Sequence, residues 1–282
     1  MKYGGSLPVG DWPDIEALRA FAQTLDEGGM DYVSIATHVL GMALGSMPDQ
    51  PLHHYYGPFR EPLVLFAYLA GQTRRIHLRT AVLILPAYPT ALLAKQAADV
   101  SIISGGRFEM GVGISWNPRE YEALGQDFHT RGKRLEEQIA LLRKMWAEPQ
   151  VTFEGRWHRL DGIGVSQVPP PIPILIGAGP EDRLLRRVAR LGDGWIPLVD
   201  PVEPLQRLRR FVEEEGRDPK TFRVSGRLAI AQGEAKDWVE RVRRLRDAGI
   251  EDIEIFPGRG LSGAAAAEKL LEVRKLLSSE FG

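Results

Sequence analysis

The sequence contains no cysteine, almost no net charge and no long hydrophobic run. Without cysteine the chain forms no disulfides, thiolate zinc sites or cysteine-ligated iron–sulfur clusters, and it has no cysteine nucleophile. The formal net charge is −1, and basic and acidic residues are interleaved, which argues against a nucleic acid partner. No apolar run approaches the roughly 20 residues that a membrane span requires, so we expect no membrane partner.

The amino terminus lacks the basic stretch and apolar segment of a signal peptide, so we expect a cytoplasmic location. The six histidines are scattered and have no carboxylate-rich neighbourhood, so we expect no metal site. The sequence also has no G-x-S-x-G motif, which disfavours a serine hydrolase.

Short apolar or β-branched segments alternate with longer segments of helical periodicity along the whole chain. The segment 131–146, for example, places Leu135, Ile139, Leu142 and Trp146 on one helical face. Eight strand–helix repeats predict an α/β fold that closes into a (β/α)8 TIM barrel, with a doubly wound sheet as the alternative. The predicted strands are 2–6, 32–36, 76–85, 108–112, 174–176, 195–198, 224–231 and 252–256.

Residues 147–173 interrupt this alternation. Residues 152–158 read as a hairpin, and three consecutive prolines at 169–171 indicate an extended lead-in to the next strand. We interpret the segment as an insertion after the fourth helix of the barrel, within a single domain that covers residues 1–282.

The active site of a TIM barrel lies at the carboxyl ends of its strands, and this rule selects candidate residues. Ser6 ends the first predicted strand, and Thr37 and His38 follow the second. His38 has the chemistry of a proton carrier at physiological pH, although a histidine hydrogen-bonded into the barrel rim fits equally well. The loop 53–56, with two histidines and two tyrosines, is either a flap over the substrate or a plain surface loop.

Glycine-rich segments follow three of the strands. Gly111 and Gly113 lack the third glycine of a dinucleotide fingerprint, but glycine there would let the backbone approach a flat ring, with Trp116 as a wall or as packing beneath the loop. A phosphate fits either Gly177–Gly179, before a helix, or the loop 257–263 with Arg259. Glu181 and Asp182 would repel an anion at the first of these unless they face away.

Several motifs resemble the bacterial luciferase-like monooxygenase superfamily, and especially its branch dependent on coenzyme F420, a deazaflavin. That branch includes methylene-tetrahydromethanopterin reductases and sugar-phosphate dehydrogenases. The resemblance covers essentially the whole chain. Its matching segments are RTAVLILP at 79–86, LAKQ at 93–96, SGGRF at 104–108, GVG at 111–113, YEALG at 121–125, FEG at 153–155 and DGW at 193–195.

The resemblance implies a TIM barrel that is usually dimeric and binds a flavin-type ring across the strand ends, with coenzyme F420 as the cofactor and FMN as the alternative. It implies a cis peptide at Ala81–Val82 in the third strand, a functional histidine at His38 and a phosphate site after the fifth strand. The predicted cofactor-binding residues are Ser6, Thr37, Ala81, Val82, Gly113, Ile114, Ser115, Trp116, Gly177, Ala178 and Gly179.

Two positions depart from the pattern of this superfamily. Thr37 stands where many relatives have an acidic residue, and Ile114 stands where sugar-oxidising members have glutamate. The second departure disfavours sugar-phosphate oxidation. The leading hypothesis is a deazaflavin-dependent oxidoreductase that exchanges hydride with a small organic substrate. The alternatives are an FMN-dependent monooxygenase that uses O2 and a non-catalytic flavin-binding protein.

Overall fold

Parallel strands close into a barrel in the structure, a computed structural model that describes residues 1–7, 14–41, 60–258 and 260–282. Each strand pairs with its neighbours, and the strand His77–Thr80 also pairs with Phe108–Gly113, so the ring is complete. The predicted (β/α)8 barrel is therefore confirmed. The barrel strands are β1 (Lys2–Ser6), β2 (Tyr32–Ile35), β3 (His77–Thr80), β4 (Leu83–Ile84), β5 (Phe108–Gly113), β8 (Ile174–Ala178), β9 (Gly194–Pro197), β10 (Arg223–Ala229) and β11 (Asp252–Phe256).

The third barrel strand differs from its prediction as one continuous segment. It consists of β3 and β4, which both pair with β5 and are separated by a cis peptide bond between Ala81 and Val82. This is the cis bond that the family resemblance implied. The other predicted strands agree with the structure to within two residues at each end.

Helices surround the barrel and bury one face each against the outer side of the strands. In the helix Arg131–Ala147 (α5) the predicted stripe is buried, with Leu135, Ile139 and Leu142 fully inaccessible to solvent. The short helix Pro118–Ala123 (α4) was not predicted. The helices in the described ranges are α1 (Ile15–Glu27), α2 (Pro62–Gln72), α3 (Thr90–Ile103), α4 (Pro118–Ala123), α5 (Arg131–Ala147), α6 (Asp182–Leu191), α7 (Leu205–Glu214), α8 (Ala235–Asp247) and α9 (Gly263–Phe281). None of them is long and apolar enough to cross a membrane.

The predicted hairpin forms a separate two-stranded sheet from β6 (Val151–Glu154) and β7 (Arg159–Ile163). The carboxylate of Glu137 on α5 binds the turn between β6 and β7. Glu137 accepts hydrogen bonds from the backbone N–H groups of Arg156, Trp157 and His158 at 2.8–3.0 Å, and it also contacts the His158 ring. The opposite ring nitrogen of His158 lies 2.6 Å from Thr90 on α3, so the hairpin is joined to two barrel helices.

Charged residues fill the amino-terminal half of the barrel interior. Arg79 is 1% exposed and binds both carboxylate oxygens of Asp252 at 2.8 and 3.0 Å, while its Nε donates to Glu109. Tyr32 donates a further hydrogen bond to Asp252 and lies beneath the Arg79 guanidinium. Burial by itself would raise the pKa of Asp252, but Arg79 and the other donors lower that pKa to about 2. The amino-terminal half of the barrel interior is therefore a paired ionic core.

Candidate active site

A cavity of about 510 Å3 opens at the carboxyl ends of the barrel strands. Its walls come from the segments that follow β2, β5 and β8, and from the interrupted third strand. A volume of this size lies within the usual range for small-molecule and cofactor sites. The cavity lies at the end of the barrel where TIM-barrel enzymes place their chemistry.

The floor of the cavity is apolar. Ala81, Leu175 and Ile196 form a small buried cluster inside the barrel, and Val82 packs on top of it. A Cβ at Gly113 would lie 2.7 Å from one methyl group of Val82, and a Cβ at Gly177 would lie 2.8 Å from the other. The two glycines therefore make room for Val82, which presents a flat apolar surface suited to one face of an aromatic ring.

One wall carries a histidine held by a buried carboxylate. His38 Nδ1 lies 2.7 Å from Glu120 Oε2, and the Glu120 side chain is fully buried. Glu120 Oε1 accepts hydrogen bonds from the backbone N–H groups of Val39 and Leu40 at 2.6 and 3.1 Å. In the neutral ring this pairing places the proton on Nδ1 and the lone pair on Nε2. The Trp116 ring stands edge-on to His38, with the ring centroids 6.0 Å apart.

The segment between β5 and α4 is shaped by local hydrogen bonds. Ser115 has a φ of 54°, an uncommon left-handed conformation for a residue other than glycine. Asn117 caps α4 by accepting a hydrogen bond from Arg119 N–H, and Pro118 occupies the first turn. Tyr121 donates from its hydroxyl to the carbonyl of Ile114 at 2.6 Å. This cap places Glu120 in the first turn of α4, at the same edge of the barrel as His38.

The wall opposite carries a buried arginine beside the glycine loop after β8. Arg187 lines the cavity and is 8% exposed, and its Nε donates to Glu136 at 2.9 Å. A Cβ at Gly132, at the start of α5, would lie 2.9 Å from Arg187 Nη2, so glycine leaves space for the guanidinium. The first-turn N–H groups of α6 and this guanidinium together favour an anion near Gly177–Gly179.

The two acidic residues beside this loop differ in direction. Asp182 forms an ion pair with Arg207 on α7, at the surface. The carboxylate of Glu181 instead folds against Gly179. Asp182 therefore faces away from the loop and would not repel an anion bound there. Glu181 stays close to the loop and would repel such an anion.

Comparison with known proteins identifies the family. A sequence profile of the luciferase-like monooxygenases matches residues 2–278. The chain belongs to this family. It is 37% identical to an uncharacterized protein of Mycobacterium tuberculosis over 201 residues, which cover 70% of this chain and 67% of the relative. It is 32% identical to an F420-dependent glucose-6-phosphate dehydrogenase of Kineococcus radiotolerans over 64% of this chain and 51% of the relative.

Another relative is an F420-dependent hydroxymycolic acid dehydrogenase of Mycobacterium tuberculosis, which is 28% identical over 78% of this chain and 60% of the relative. Among solved structures, an F420-dependent secondary alcohol dehydrogenase with an F420–acetone adduct has a TM-score of 0.81 at 13% identity, covering 98% of both chains. A monooxygenase from Streptomyces bottropensis has a TM-score of 0.78 at 21% identity, covering 100% of this chain and 98% of the other. These structures share the fold.

The structure of this luciferase-like chain brings eleven of the twelve predicted site residues to the cavity. Ser6 is the exception: it is buried at the end of β1 and is not among the residues that line the cavity. Two predictions fall on residues outside the described ranges, namely the loop 53–56 and Arg259. Among the described residues no group of three or more histidine and acidic side chains could hold a metal ion.

Three charged residues near the cavity were missed at the sequence level. Asn117-Pro118 is a helix-start signal that places Glu120 in a first turn just beyond the fourth barrel strand. Arg227 lies two residues after the inward-facing Ser225 on β10, and side chains two apart on a strand point to the same face. This spacing predicts that the Arg227 side chain points inward near the end of β10. Arg187 gave no such signal, because its route into the cavity depends on the packing of α6 against α5.

Proposed function

We propose that this luciferase-like protein is an oxidoreductase that uses coenzyme F420 to move hydride to or from a small organic substrate. The observation that carries the proposal is the joint occurrence, around one cavity, of an apolar floor, a carboxylate-held histidine and a buried arginine beside a glycine loop. The dehydrogenase relatives that depend on F420 support the choice of cofactor.

The residues around the cavity fit a flavin-type cofactor. Val82 and the small cluster below it would support the ring, and Gly113 and Gly177 leave the space that Val82 occupies there. Arg187 and the first turn of α6 would hold a phosphate near Gly177–Gly179. Bound there, the deazaflavin supplies the hydride chemistry, and the protein supplies orientation and electrostatics.

His38 would manage the proton that accompanies hydride transfer. When a substrate hydroxyl is oxidised, Nε2 accepts the hydroxyl proton as hydride leaves the neighbouring carbon. When a carbonyl is reduced, Nε2 returns a proton to the oxygen. In both directions the Glu120 carboxylate orients the ring through Nδ1, as a buried carboxylate does behind a histidine base.

The test of this function is a titration of the purified protein with oxidised F420 and with FMN, followed by tryptophan fluorescence. We expect selective, saturable binding of F420. Selective binding of FMN would replace the proposal with monooxygenase chemistry, which O2 consumption coupled to product formation would then establish. If the protein binds neither F420 nor FMN, both the oxidoreductase proposal and the monooxygenase alternative are wrong.

Two single substitutions locate the phosphate. Arg187→Gln is expected to weaken F420 binding about tenfold, because a charge-assisted contact is lost. Glu181→Gln is expected to tighten it a few-fold, because the carboxylate beside Gly179 is neutralised. Unchanged affinity in both variants would assign the phosphate to the loop after β11 instead.

His38→Ala is expected to bind F420 and to lower turnover by about 10²- to 10⁴-fold, the usual contribution of a general acid or base. His129→Ala, at an exposed position, is the matched control and should behave as wild type. Turnover of His38→Ala at the wild-type rate would remove the proton-transfer role of His38.

A further inference from the structure

A second cavity of about 510 Å3 lies beside the first, among the segments that follow β10 and β11. Its walls combine the aromatic rings of Trp238 and Phe256 with the cationic side chains of Arg227 and Arg241. Arg227 lines both cavities. Nothing in the proposed cofactor site uses this second space.

The Arg227 guanidinium has no close carboxylate partner among the described residues. Its nearest carboxylate, Glu254, is 4.0 Å from Nε, and Nε is buried without a hydrogen-bond partner among the described residues. The guanidinium lies 4.7 Å from the centre of the Phe256 ring. A buried N–H group without a partner is costly, and a bound acceptor would remove that cost.

The balance of charge around Arg227 favours an anion. Burial raises the pKa of Glu254 above its ordinary value, although Arg227 and Ser34 act in the opposite direction. At 4.0 Å the Glu254 carboxylate makes no hydrogen bond to Arg227, and its Oε1 instead accepts a hydrogen bond from the Ser34 hydroxyl at 2.5 Å. Asp237 is the acidic residue in the lining of the second cavity, and its Oδ2 already accepts the backbone N–H of Glu234.

The remaining walls favour an apolar body. Phe256 and Trp238 are partly exposed to the cavity, and the Trp238 indole N–H is already satisfied by the carbonyl of Gln232 at 2.9 Å. The indole therefore offers its apolar surface. Leu198, which lines the first cavity, is 62% exposed. A ligand bound here meets aromatic and aliphatic surface on the sides. At the junction of the two cavities it meets the Arg227 guanidinium, whose Nε has no hydrogen-bond partner among the described residues.

We propose that the second cavity is the substrate subsite, and that it takes an organic anion with an aromatic or aliphatic body, whose acidic group binds Arg227. The identity of this occupant as the substrate rests on the proposed oxidoreductase function. The binding itself does not, because it needs only the residues around Arg227. An acidic group at Arg227 would place the apolar body in the second cavity and bring the substrate to the edge of the first.

The test is calorimetric titration of the cofactor-free protein with 2-naphthoate and with the neutral 2-naphthalenemethanol. We expect the wild type to bind naphthoate more tightly than the alcohol. Arg227→Gln should raise the Kd of naphthoate at least about tenfold, Arg227→Lys should raise it less, and neither should change the Kd of the alcohol. Arg159→Gln, at an exposed position on the hairpin, is the control for a general loss of positive charge.

A further variant assigns the probe to the second cavity. Trp238→Ala removes a wall and should weaken both probes, whereas a probe bound elsewhere would be unaffected. Equal naphthoate affinity in wild type and Arg227→Gln, no preference over the alcohol, or unchanged binding in Trp238→Ala would each overturn the inference. Because no cofactor is present, a protein that gives the expected pattern but binds neither F420 nor FMN would lose the proposed function and keep the subsite.

Discussion

At the scale of single residues, the pairing of His38 with Glu120 gives the sharpest prediction. Glu120→Gln keeps the size of the side chain and can still accept from the backbone N–H groups of Val39 and Leu40, but it no longer offers a charged acceptor to Nδ1. We expect turnover to fall about 10- to 100-fold while F420 affinity stays within a factor of three. Steady-state kinetics and a fluorescence titration measure the two quantities separately.

A spectroscopic signature distinguishes positioning of His38 from a general structural role of Glu120. Nitrogen-15 NMR of the labelled imidazole should report the Nδ1–H tautomer in the wild type and a mixture of tautomers in Glu120→Gln. Glu122→Gln, on the same helix and exposed, should leave both spectrum and turnover unchanged. An unaltered His38 tautomer in Glu120→Gln would show that Glu120 does not orient the ring.

The ionic core of the barrel predicts a pH-dependent loss of stability. Asp252→Asn removes the bidentate partner of the buried Arg79, and breaking such a pair typically costs about 3–5 kcal/mol. The pKa of Asp252 is about 2 in the folded protein, so its contribution is present above the ordinary pKa of an aspartate and is lost as the pH falls toward 2. The difference between wild type and variant should therefore shrink on acidification.

Urea denaturation across a pH series measures this difference. Asp161→Asn, at an exposed position of the hairpin, is the matched control and should stay within about 0.5 kcal/mol of wild type. A constant difference between wild type and Asp252→Asn over the whole series would show that the ion pair is not its source.

The cavity residues at strand ends could be predicted from sequence, because the carboxyl ends of all barrel strands meet at one end of a TIM barrel. His38 and Trp116 lie 78 positions apart in the sequence, yet both line the cavity because each follows a barrel strand. Glu120 was missed because its role depends on a six-residue helix that carries little periodic signal. The sequence analysis placed Gly113 and Gly177 at the cavity because glycine would let a cofactor approach the backbone. In the structure both glycines line the cavity, but the space that they leave is taken by Val82, a contact that no local sequence pattern contains.

At the scale of elements, the contact between Val82 and the neighbouring glycines predicts non-additive substitutions. Gly177→Ala places a Cβ 2.8 Å from Val82 Cγ1 and is expected to cost about 1–3 kcal/mol through overpacking. Val82→Ala removes that methyl group, so the double variant should be more stable than the sum of the two single effects predicts. Thermal or urea denaturation of the four proteins completes the cycle.

Gly258→Ala provides the control for this cycle, because a Cβ there has no atom nearer than 3.8 Å and the backbone is not in the left-handed region. Alanine restricts the unfolded chain more than glycine does, so this variant should be neutral or slightly more stable. Strict additivity of Gly177→Ala and Val82→Ala would contradict the proposed packing of the floor.

The insertion hairpin predicts a local effect of pH. Burial alone would raise the pKa of Glu137, but the N–H groups of the hairpin turn and His158 lower it. The tie is therefore strongest above the ordinary pKa of a glutamate and weakens as the pH falls. Glu137→Gln should cost about 1–3 kcal/mol and speed amide exchange at residues 156–158, whereas Glu148→Gln should not. Unchanged exchange in Glu137→Gln would show that the turn is held by other contacts.

At the scale of the whole molecule, the alternation of strands and helices favoured a closed barrel over a doubly wound sheet, and the closed barrel is confirmed. The hydrophobic period of each segment distinguishes a strand from a helix, and eight strand–helix repeats are compatible with few other topologies. Two arginines of the family motifs make structural contacts: Arg79 joins the ionic core, and Arg107 binds the backbone carbonyls that end α2. What the chain order could not reveal is which charged side chains meet across the barrel.

The outer surface of α2 supports the proposal of a homodimer. Its eleven residues, Pro62–Gln72, include no charged side chain. The outward positions Val64, Ala67, Tyr68 and Gly71 follow the i, i+3, i+4, i+7 spacing of one helical face, and Val64 is 67% exposed. On the neighbouring α3, Leu92 is 56% exposed. An uncharged helical face of this kind is typical of a surface that a partner covers.

We therefore expect light scattering after gel filtration to give twice the chain mass of 31.4 kDa. Val64→Asp combined with Leu92→Asp would place desolvated charges at the centre of such an interface and should yield a monomer that still binds F420, because neither residue lines the cavity. Ile163→Asp, equally exposed on the hairpin, should remain dimeric. A monomeric wild type would remove the dimer, and a dimeric double variant would move its interface away from α2 and α3.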